Sequence, residues 1–167
     1  RNGVKYSLSQ VDEILKEFYG GNDAGGIWAD EGAEFTSEIE IDLGQVIPLV
    51  AAPHHVDNVK SVHEVAGKKV HQGLIGTCTN GRLEDIRVAA EILKGKTIAD
   101  NFQLSVIPAS RDIYLQAIKE GLITVLVEAG ANVLSSSCGP CLGTGQGIPA
   151  DGQTVISTAN RNFLGRM

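Results

Sequence analysis

Residues 70–93 read Val70-His-Gln-Gly-Leu-Ile-Gly-Thr-Cys-Thr-Asn-Gly-Arg-Leu-Glu-Asp-Ile-Arg-Val-Ala-Ala-Glu-Ile-Leu93, and this stretch decides the fold of the chain. The apolar run at 70–75 predicts a short strand, and the glycines and polar residues at 76–81 predict a turn. Apolar residues recur at helical spacing over 82–93, and Gly95 then supplies a stop signal. A strand, a tight turn and a helix in this order are typical of half a βαβ unit, which builds a parallel sheet.

The same alternation continues toward the end of the chain. Further strands are predicted at 104–107, 132–134 and 154–157, and helices at 110–120 and 122–129. Alternating strands and helices predict an α/β fold, here a three-layer α/β/α domain with a mostly parallel sheet.

Residues 1–33 are predicted to form an N-terminal helix and loop. Ser9 is a candidate helix cap, and apolar residues recur at helical spacing as far as Tyr19. A glycine-rich loop over 20–33 follows.

The rest of the chain, residues 34–167, is predicted to be a single α/β domain. It begins with a segment at 37–43 in which every second residue is apolar, which predicts a half-buried strand. The apolar residues that carry this pattern are Ile39, Ile41 and Leu43. Residues 46–65 contain Pro48 and Pro53 and show no clean period.

The composition is that of a globular protein, with 43% apolar and 20% charged residues. A net charge of −6 argues against nucleic acid or an anionic membrane surface as the main partner. No apolar run approaches the roughly 18 residues of a membrane span. Three cysteines, a small and odd number, do not resemble a secreted disulfide scaffold, so we expect a reducing, cytoplasmic location.

The length and the ends of the chain bear on its completeness. A length of 167 residues suffices for one domain. The chain begins at Arg1 and stops at Met167, inside a dense polar motif. We expect it to be part of a longer protein, and ordinary trimming of the ends is the alternative.

The three cysteines are the strongest indication of chemistry. Cys138 and Cys141 form a C-x-x-C turn in Ser-Ser-Ser-Cys-Gly-Pro-Cys-Leu-Gly, and Cys78 lies in the turn after the strand at 70–75. Polar residues at 160–166 follow another predicted strand. Because binding groups collect beyond the carboxyl ends of parallel strands, we expect these segments to meet at one edge of the sheet.

Four interpretations of the cysteines can be compared. A zinc site needs a fourth ligand, and none of the four histidines has ligand-like spacing. Dithiol redox chemistry favours a C-x-x-C at a helix start, but the glycine-rich sequence after Cys141 does not predict one. Burial as a small apolar residue suits Cys78 better than the pair around Pro140. An iron–sulfur cluster remains, in which three thiolates leave one iron open to substrate.

Three motifs resemble those of the aconitase superfamily and occur in the family's order. They are most similar to its isopropylmalate dehydratase and homoaconitase large subunits. The matching stretches are residues 75–87, 138–143 and 157–167, preceded by a similar segment at 52–59. The resemblance runs from about residue 34 to the end, and residues 1–33 show none.

The resemblance implies a cofactor and a set of binding residues. A [4Fe–4S] cluster would be bound by Cys78, Cys138 and Cys141. Substrate carboxylates would be bound by Arg161 and Arg166, because a guanidinium stays charged and can bind a carboxylate through two hydrogen bonds. Asn160 would hydrogen-bond at the cluster or the substrate. No catalytic residue of the family's motifs is expected in this chain.

Three further polar residues near these motifs have open roles. Asn80 either shapes the turn after Cys78 or supports the site. His54 and His55 lie in the segment before the motifs, and they are either surface residues or members of the site.

The implied activity is a reversible dehydration and rehydration that moves a hydroxyl between adjacent carbons of a small hydroxy-di- or tricarboxylic acid. The most similar type is isopropylmalate isomerisation in leucine biosynthesis. Homoaconitase, methylmalate (citraconate) dehydratase and dimethylmalate dehydratase are alternatives of the same class. A non-catalytic zinc or redox-sensing module is the alternative from another class.

The resemblance also implies protein partners. In this family a serine on a swivelling domain is the base that removes the proton, and in the isopropylmalate type that domain is a separate small subunit. The expected partners are therefore this small subunit and the remaining large-subunit domains. The chain alone is expected to bind the cluster poorly and to be inactive.

Overall fold

A computed structural model describes residues 30–163 except residue 38, together with Glu13 and Arg166. The helix predicted up to Tyr19 and most of the predicted loop at 20–33 lie outside the described residues. The chain divides into two units, residues 1–47 and residues 48–167.

The described part of the first unit contains a short 3₁₀ helix, Leu43–Gln45. The prediction of a strand at 37–43 is wrong, because the described residues of this segment form no strand. Ile39 and Ile41 are 83% and 67% exposed, and no described residue pairs with their backbone. Instead, the Asp42 carboxylate accepts a hydrogen bond from Gly44 N at 2.8 Å, which closes a local turn. An alternating pattern becomes a strand only where a neighbouring strand pairs with it, and a local side-chain bond competes with that pairing.

The described part of the second unit contains six strands and four α-helices. The strands are β1 (Leu49–Ala51), β2 (Val59–Ser61), β3 (Gln72–Gly76), β4 (Gln103–Ile107), β5 (Asn132–Val133) and β6 (Val155–Ser157). The α-helices are α1 (Val62–Val65), α2 (Leu83–Leu93), α3 (Arg111–Lys119) and α4 (Leu122–Glu128). The strands and helices predicted from residue 70 onward are confirmed, with small differences at their ends.

Strands β1 and β2 form an antiparallel hairpin that the sequence did not predict. Each strand has only three residues, which is too short for a period to be visible. The hairpin leads into α1, where Ser61 and Glu64 form a reciprocal capping box: each side chain accepts a hydrogen bond from the other residue's backbone N–H.

Strands β3 to β6 form a four-stranded sheet in the order β5-β4-β3-β6, and all three pairings are parallel. This confirms the predicted α/β class with a parallel sheet. The carboxyl ends of the two central strands, Gly76 and Ile107, lie opposite each other in register. The segments that follow these strands therefore begin side by side.

Helices α2, α3 and α4 pack against each other and against one face of the sheet. Their buried side chains and those of the strands form one apolar core, as the helical spacing predicts. The fully or largely buried members are Leu83, Ile86, Ala89, Ala90, Leu104, Val106, Ala117, Leu126 and Ala131.

The other face of the sheet is covered, in the described residues, by the glycine-rich segment after β5. Pro140, between two of the cysteines, is less than 2% exposed. A Cβ added at Gly139 would lie 3.0 Å from Ile107 Cδ1, so the turn packs directly on β4. The cysteine pair is thus held on the sheet itself.

In the described part of the chain, no helix is both long enough and apolar enough to cross a membrane.

Candidate functional site

A cleft of about 480 Å³ opens where the carboxyl ends of β3 and β6 meet the segment after β5. Its wall is built by residues 76–79, by residues 138, 141 and 142, and by residues 159–161 and 163. The structure therefore brings Cys78, Cys138, Cys141, Asn160 and Arg161 to one cleft. The volume lies within the range of small-molecule sites.

The turn that carries Cys78 lies against the end of β4. A Cβ at Gly76 would lie 2.5 Å from Ile107 O, and one at Gly81 would overlap the same oxygen. The backbone of Ala109 also donates a hydrogen bond to Gly81 O at 2.8 Å. Glycine is required at both positions because the turn approaches the neighbouring strand too closely for any side chain.

Hydrogen bonds join the Cys78 turn to the segment after β6. The Thr158 hydroxyl accepts from Gly76 N and donates to Gly76 O, both at 3.0 Å. The Asn80 side-chain amide donates to Thr158 O and, at 2.7 Å, to Asn160 Oδ1. Asn80 thus contacts a predicted substrate-binding residue as well as shaping its own turn. Sequence analysis singled out Asn160, Arg161 and Arg166 in the stretch 157–167 but not Thr158, whose partner Gly76 lies 82 positions away.

Asn162 connects the β1–β2 hairpin to the same segment. Its Nδ2 donates to Ala52 O at 2.8 Å and lies 3.2 Å from both Ala51 O and His55 O. The backbone of His54 forms a parallel bridge with Phe163. The turn at 52–55 is therefore attached to the wall of the cleft, although its histidines do not line it. Sequence reasoning also missed Asn162.

The cysteine pair lies in a tight turn that contains a second 3₁₀ helix, Gly139–Leu142. Cys141 N donates to Cys138 O at 3.1 Å, which keeps the two residues close. Arg166 is not part of the cleft wall. Its Nη1 donates to Leu142 O at 3.2 Å, so it contacts the cysteine turn from the side.

The three thiols differ in their surroundings. Cys78 and Cys138 are exposed and Cys141 is half-buried, and all three are free. The pKa of the Cys78 thiol is lowered, chiefly by its hydrogen bond with the Thr79 hydroxyl and then by that with Thr77. The positive charge of Arg161 lowers it further. A lowered pKa favours the thiolate, which is the form that binds metals.

The donor set is chemically suited to an iron–sulfur cluster, because thiolate sulfur is the ligand that such clusters take. Among the described residues, no group of three or more histidine, cysteine or acidic side chains could hold one metal ion. The three cysteines line one cleft, so they would be the residues that hold such a cluster.

Comparison with known families identifies the class of protein to which this α/β domain, with three cysteines around a cleft at its strand ends, belongs. The chain belongs to the aconitase family: the family model described as "Aconitase family (aconitate hydratase)" matches residues 63–167. This match contains all three cysteines and the segment after β6, and it begins after the β1–β2 hairpin.

Individual relatives are large subunits of dehydratases. The chain is 50% identical over 169 aligned residues to the "3-isopropylmalate dehydratase large subunit 2" of Archaeoglobus fulgidus, covering 99% of this chain and 41% of that protein. It is 47% identical to the "3-isopropylmalate dehydratase large subunit" of Elusimicrobium minutum, with 99% and 40% covered. It is 51% identical to the "Methanogen homoaconitase large subunit" of Methanocaldococcus jannaschii, with 81% and 32% covered.

Two facts follow from these alignments. The chain spans about two fifths of the length of the first two relatives. Because the alignments cover 99% of the chain, they include nearly all of residues 1–33, so the expectation that the resemblance begins near residue 34 is wrong.

Proposed function

We propose that this chain is the cluster-binding part of an iron–sulfur hydro-lyase of the isopropylmalate dehydratase type. Such an enzyme isomerises a hydroxy-acid by dehydration and rehydration, in this case for leucine biosynthesis. The observation that carries the proposal is the single cleft that collects three cysteines together with Asn160 and Arg161. The relatives named isopropylmalate dehydratase support the substrate assignment.

Cys78, Cys138 and Cys141 would hold a [4Fe–4S] cluster. When bound, the cluster supplies an iron without a protein ligand, which is a Lewis acid for a substrate hydroxyl. The lowered pKa of the Cys78 thiol suits ligation, because metal binding requires the deprotonated sulfur.

Arg161 and Asn160 would bind the substrate. Arg161 lines the cleft close enough to Cys78 for its charge to act on that thiol, so a carboxylate that it binds lies beside the sulfur ligands. The Asn160 oxygen is engaged by Asn80, which leaves the Asn160 amide nitrogen as a donor to a substrate oxygen. The hydrogen bond from Asn80 orients the Asn160 amide toward this role.

Arg166 would serve substrate and scaffold together. One of its nitrogens donates to Leu142 O, and a guanidinium has further N–H donors. Arg166 therefore connects the cysteine turn to the segment that carries Asn160 and Arg161. The substrate role of Arg166 comes from its place in the family's third motif: its remaining donors would bind a second carboxylate, although Arg166 lies outside the cleft wall in this structure.

The rest of the enzyme would come from other polypeptide. The remaining large-subunit domains and a small swivelling subunit would close the cleft and supply the base that removes the proton. The isolated chain would then bind a cluster poorly and turn over no substrate. Cys78 and Cys138 are both exposed to solvent. This exposure agrees with the division, because the other domains would have to cover the two cysteines.

Homoaconitase chemistry is the alternative within the same class. It is favoured by the relative from Methanocaldococcus jannaschii, which is 51% identical over 135 residues. The two reactions share the cluster, the cleft and the proton removal, and they differ in the side chain of the acid. Substrate preference must therefore be measured.

The experiment uses the complete large subunit that carries this chain, assembled with its small subunit and reconstituted anaerobically with iron and sulfide. We expect about four iron atoms per large subunit. Isopropylmalate should be dehydrated faster than a homoaconitase substrate. Cys78→Ser, Cys138→Ser and Cys141→Ser should each lose most of the iron and all activity, whereas the control Ser135→Ala should lose neither. Unchanged iron in Cys78→Ser would refute the three-cysteine site.

A further inference from the structure

Two polar residues are buried on the face of the sheet beneath the cysteine turn. Gln72 on β3 is 3% exposed and Ser105 on β4 is fully buried. Strands buried on both faces of a parallel sheet are normally apolar throughout, so polar residues in such positions need a reason. The family motifs that define the site contain neither residue.

Gln72 reaches the segment that follows the cysteines. Its Nε2 donates a hydrogen bond to Gly147 O, between residues 75 positions apart in the sequence. Gly147 is itself in close contact with the turn: a Cβ added there would lie 3.1 Å from Pro140 Cγ and 3.3 Å from Ser105 Oγ. Gln72, Gly147 and Pro140 thus form one packed unit, which we call the amide cradle.

The cysteine turn needs such an anchor because its own backbone is permissive. Four glycines with positive φ lie within nine residues, at 139, 143, 145 and 147. Glycine loses more conformational freedom on folding than any other residue, so this segment would populate many conformations without fixed contacts. Within it, Pro140 is buried, but Cys138 and Leu142 are exposed.

We propose that Gln72 is a positioning residue for the Cys138–Cys141 pair. Strand β3 begins at Gln72 and ends at Gly76, two residues before Cys78. Strand β3 therefore carries Gln72, the anchor of the cysteine pair, at one end and leads into the turn of Cys78 at the other. The role in cluster assembly rests on the proposed function, whereas the role in fixing the turn does not.

The test compares Gln72→Leu with Gln103→Leu. Gln103 is the register partner of Gln72 on the adjacent strand β4, but it is exposed. The two substitutions therefore remove the same amide from equivalent strand positions, and only one removes a bond to Gly147. The measured quantity is the alkylation rate of each cysteine in the metal-free protein, followed by mass spectrometry.

Cys141 reports on opening of the turn because it is half-buried, while the exposed Cys78 and Cys138 serve as internal references. Loss of one intramolecular hydrogen bond shifts a local opening equilibrium about three- to tenfold. We expect Gln72→Leu to speed Cys141 alkylation by this factor relative to Cys78, and Gln103→Leu to change nothing. An unchanged ratio, or an equal acceleration of all three thiols, would overturn the proposal.

A second pair of variants tests the cradle from the side of the loop. Gly147→Ala and Gly145→Ala carry similar backbone strain, since their φ values are +83° and +76°. Only Gly147→Ala brings a Cβ against Pro140, because nothing lies within 4 Å of that position at Gly145. We expect faster Cys141 alkylation in Gly147→Ala than in Gly145→Ala, and equal rates would count against the cradle.

Iron content separates this proposal from the proposed function. If the wild-type complete subunit binds no iron but the alkylation results hold, the cradle stands and the proposed function fails. If the wild type binds iron, Gln72→Leu should lose its iron several-fold faster in a chelator chase than Gln103→Leu. Equal iron-loss rates of Gln72→Leu and Gln103→Leu, together with equal cysteine alkylation rates, would overturn the positioning role of Gln72 and leave the proposed function intact.

Discussion

The Thr158 hydroxyl makes two hydrogen bonds with the backbone of Gly76, accepting from its N–H and donating to its carbonyl, both at 3.0 Å. Gly76 is the last residue of β3, and Thr158 is the first residue after β6. One side chain therefore joins two adjacent parallel strands at the point where the segments of Cys78 and Asn160 leave the sheet. This bond sets the spacing of two walls of the cleft.

Thr158→Val should lower the free energy of unfolding by about 1–2 kcal/mol, because an isosteric side chain leaves two backbone groups without partners. Thr124→Val, on the exposed side of α4, is the matched control and should change little. Urea unfolding followed by circular dichroism measures both. Equal midpoints for the two variants would show that the bond does not hold the strands together.

Asn162→Ala should release the turn at 52–55 from the cleft wall. Its amide lies within 3.2 Å of three backbone carbonyl oxygens, of Ala51, Ala52 and His55, so its removal leaves them without this donor. We expect amide hydrogen exchange to rise about tenfold at residues 52–58 and at 161–163.

The matched control for this variant is Asn58→Ala. Asn58 donates to Pro53 O within the same turn and has no such bond to the described residues after β6. Its loss should raise exchange in the turn alone. If Asn162→Ala leaves exchange at 161–163 unchanged, the hairpin and the cleft wall are not coupled through this residue.

Ser105→Ala should leave the stability unchanged or raise it by up to about 1 kcal/mol. Ser105 Oγ is buried and has no hydrogen-bond partner among the described residues, so its removal relieves an unsatisfied group. The same substitution at Ser110 should lower stability by about 1 kcal/mol, because its Oγ caps α3 by accepting from Ile113 N at 3.2 Å. Thermal unfolding of the two variants should therefore shift in opposite directions or differ clearly in size.

The Arg87–Glu120 pair between α2 and α3 should contribute stability that depends on pH. Two hydrogen bonds at 2.7 and 2.8 Å join the guanidinium to the carboxylate, and they lower the pKa of Glu120. A carboxyl whose pKa is lower in the folded than in the unfolded state stabilises the fold above the unfolded-state pKa. That contribution disappears as the pH falls through the folded-state pKa.

Glu120→Gln should therefore lower Tm at neutral pH and leave it unchanged in acid. The expected change is only about 1–3 °C, because the ion pair is largely exposed. The effect should also shrink at high salt. Glu91→Gln, an exposed acid on α2, is the control. A Tm difference between wild type and Glu120→Gln that persists unchanged in acid would contradict the role of this ion pair.

The sequence predicted most of the parallel sheet because its signals there are local. The apolar run before Cys78, the helical spacing after it and the stop signal at Gly95 all act within a few residues, so β3 and α2 were predicted. The same kinds of local signal predicted the later strands and helices. The rule that binding groups meet at the carboxyl ends of strands then placed the three cysteines and Asn160 near each other.

What the sequence could not supply are pairings between distant residues. Gln72 and Gly147 are 75 positions apart, and Asn162 bonds residues more than 100 positions away. No local feature of the sequence indicates which distant residue each of these residues contacts. The strand prediction at 37–43 was wrong because the alternating pattern is local, whereas a strand forms only when a second strand pairs with it.

The most direct test of the central claim is the position of iron in a crystal of the anaerobically reconstituted large subunit. Anomalous scattering at the iron absorption edge should show one compact peak in the cleft, within bonding distance of the sulfurs of Cys78, Cys138 and Cys141 and of no other side chain of this chain. Iron located elsewhere, or a peak that one of these three sulfurs does not contact, would contradict the account.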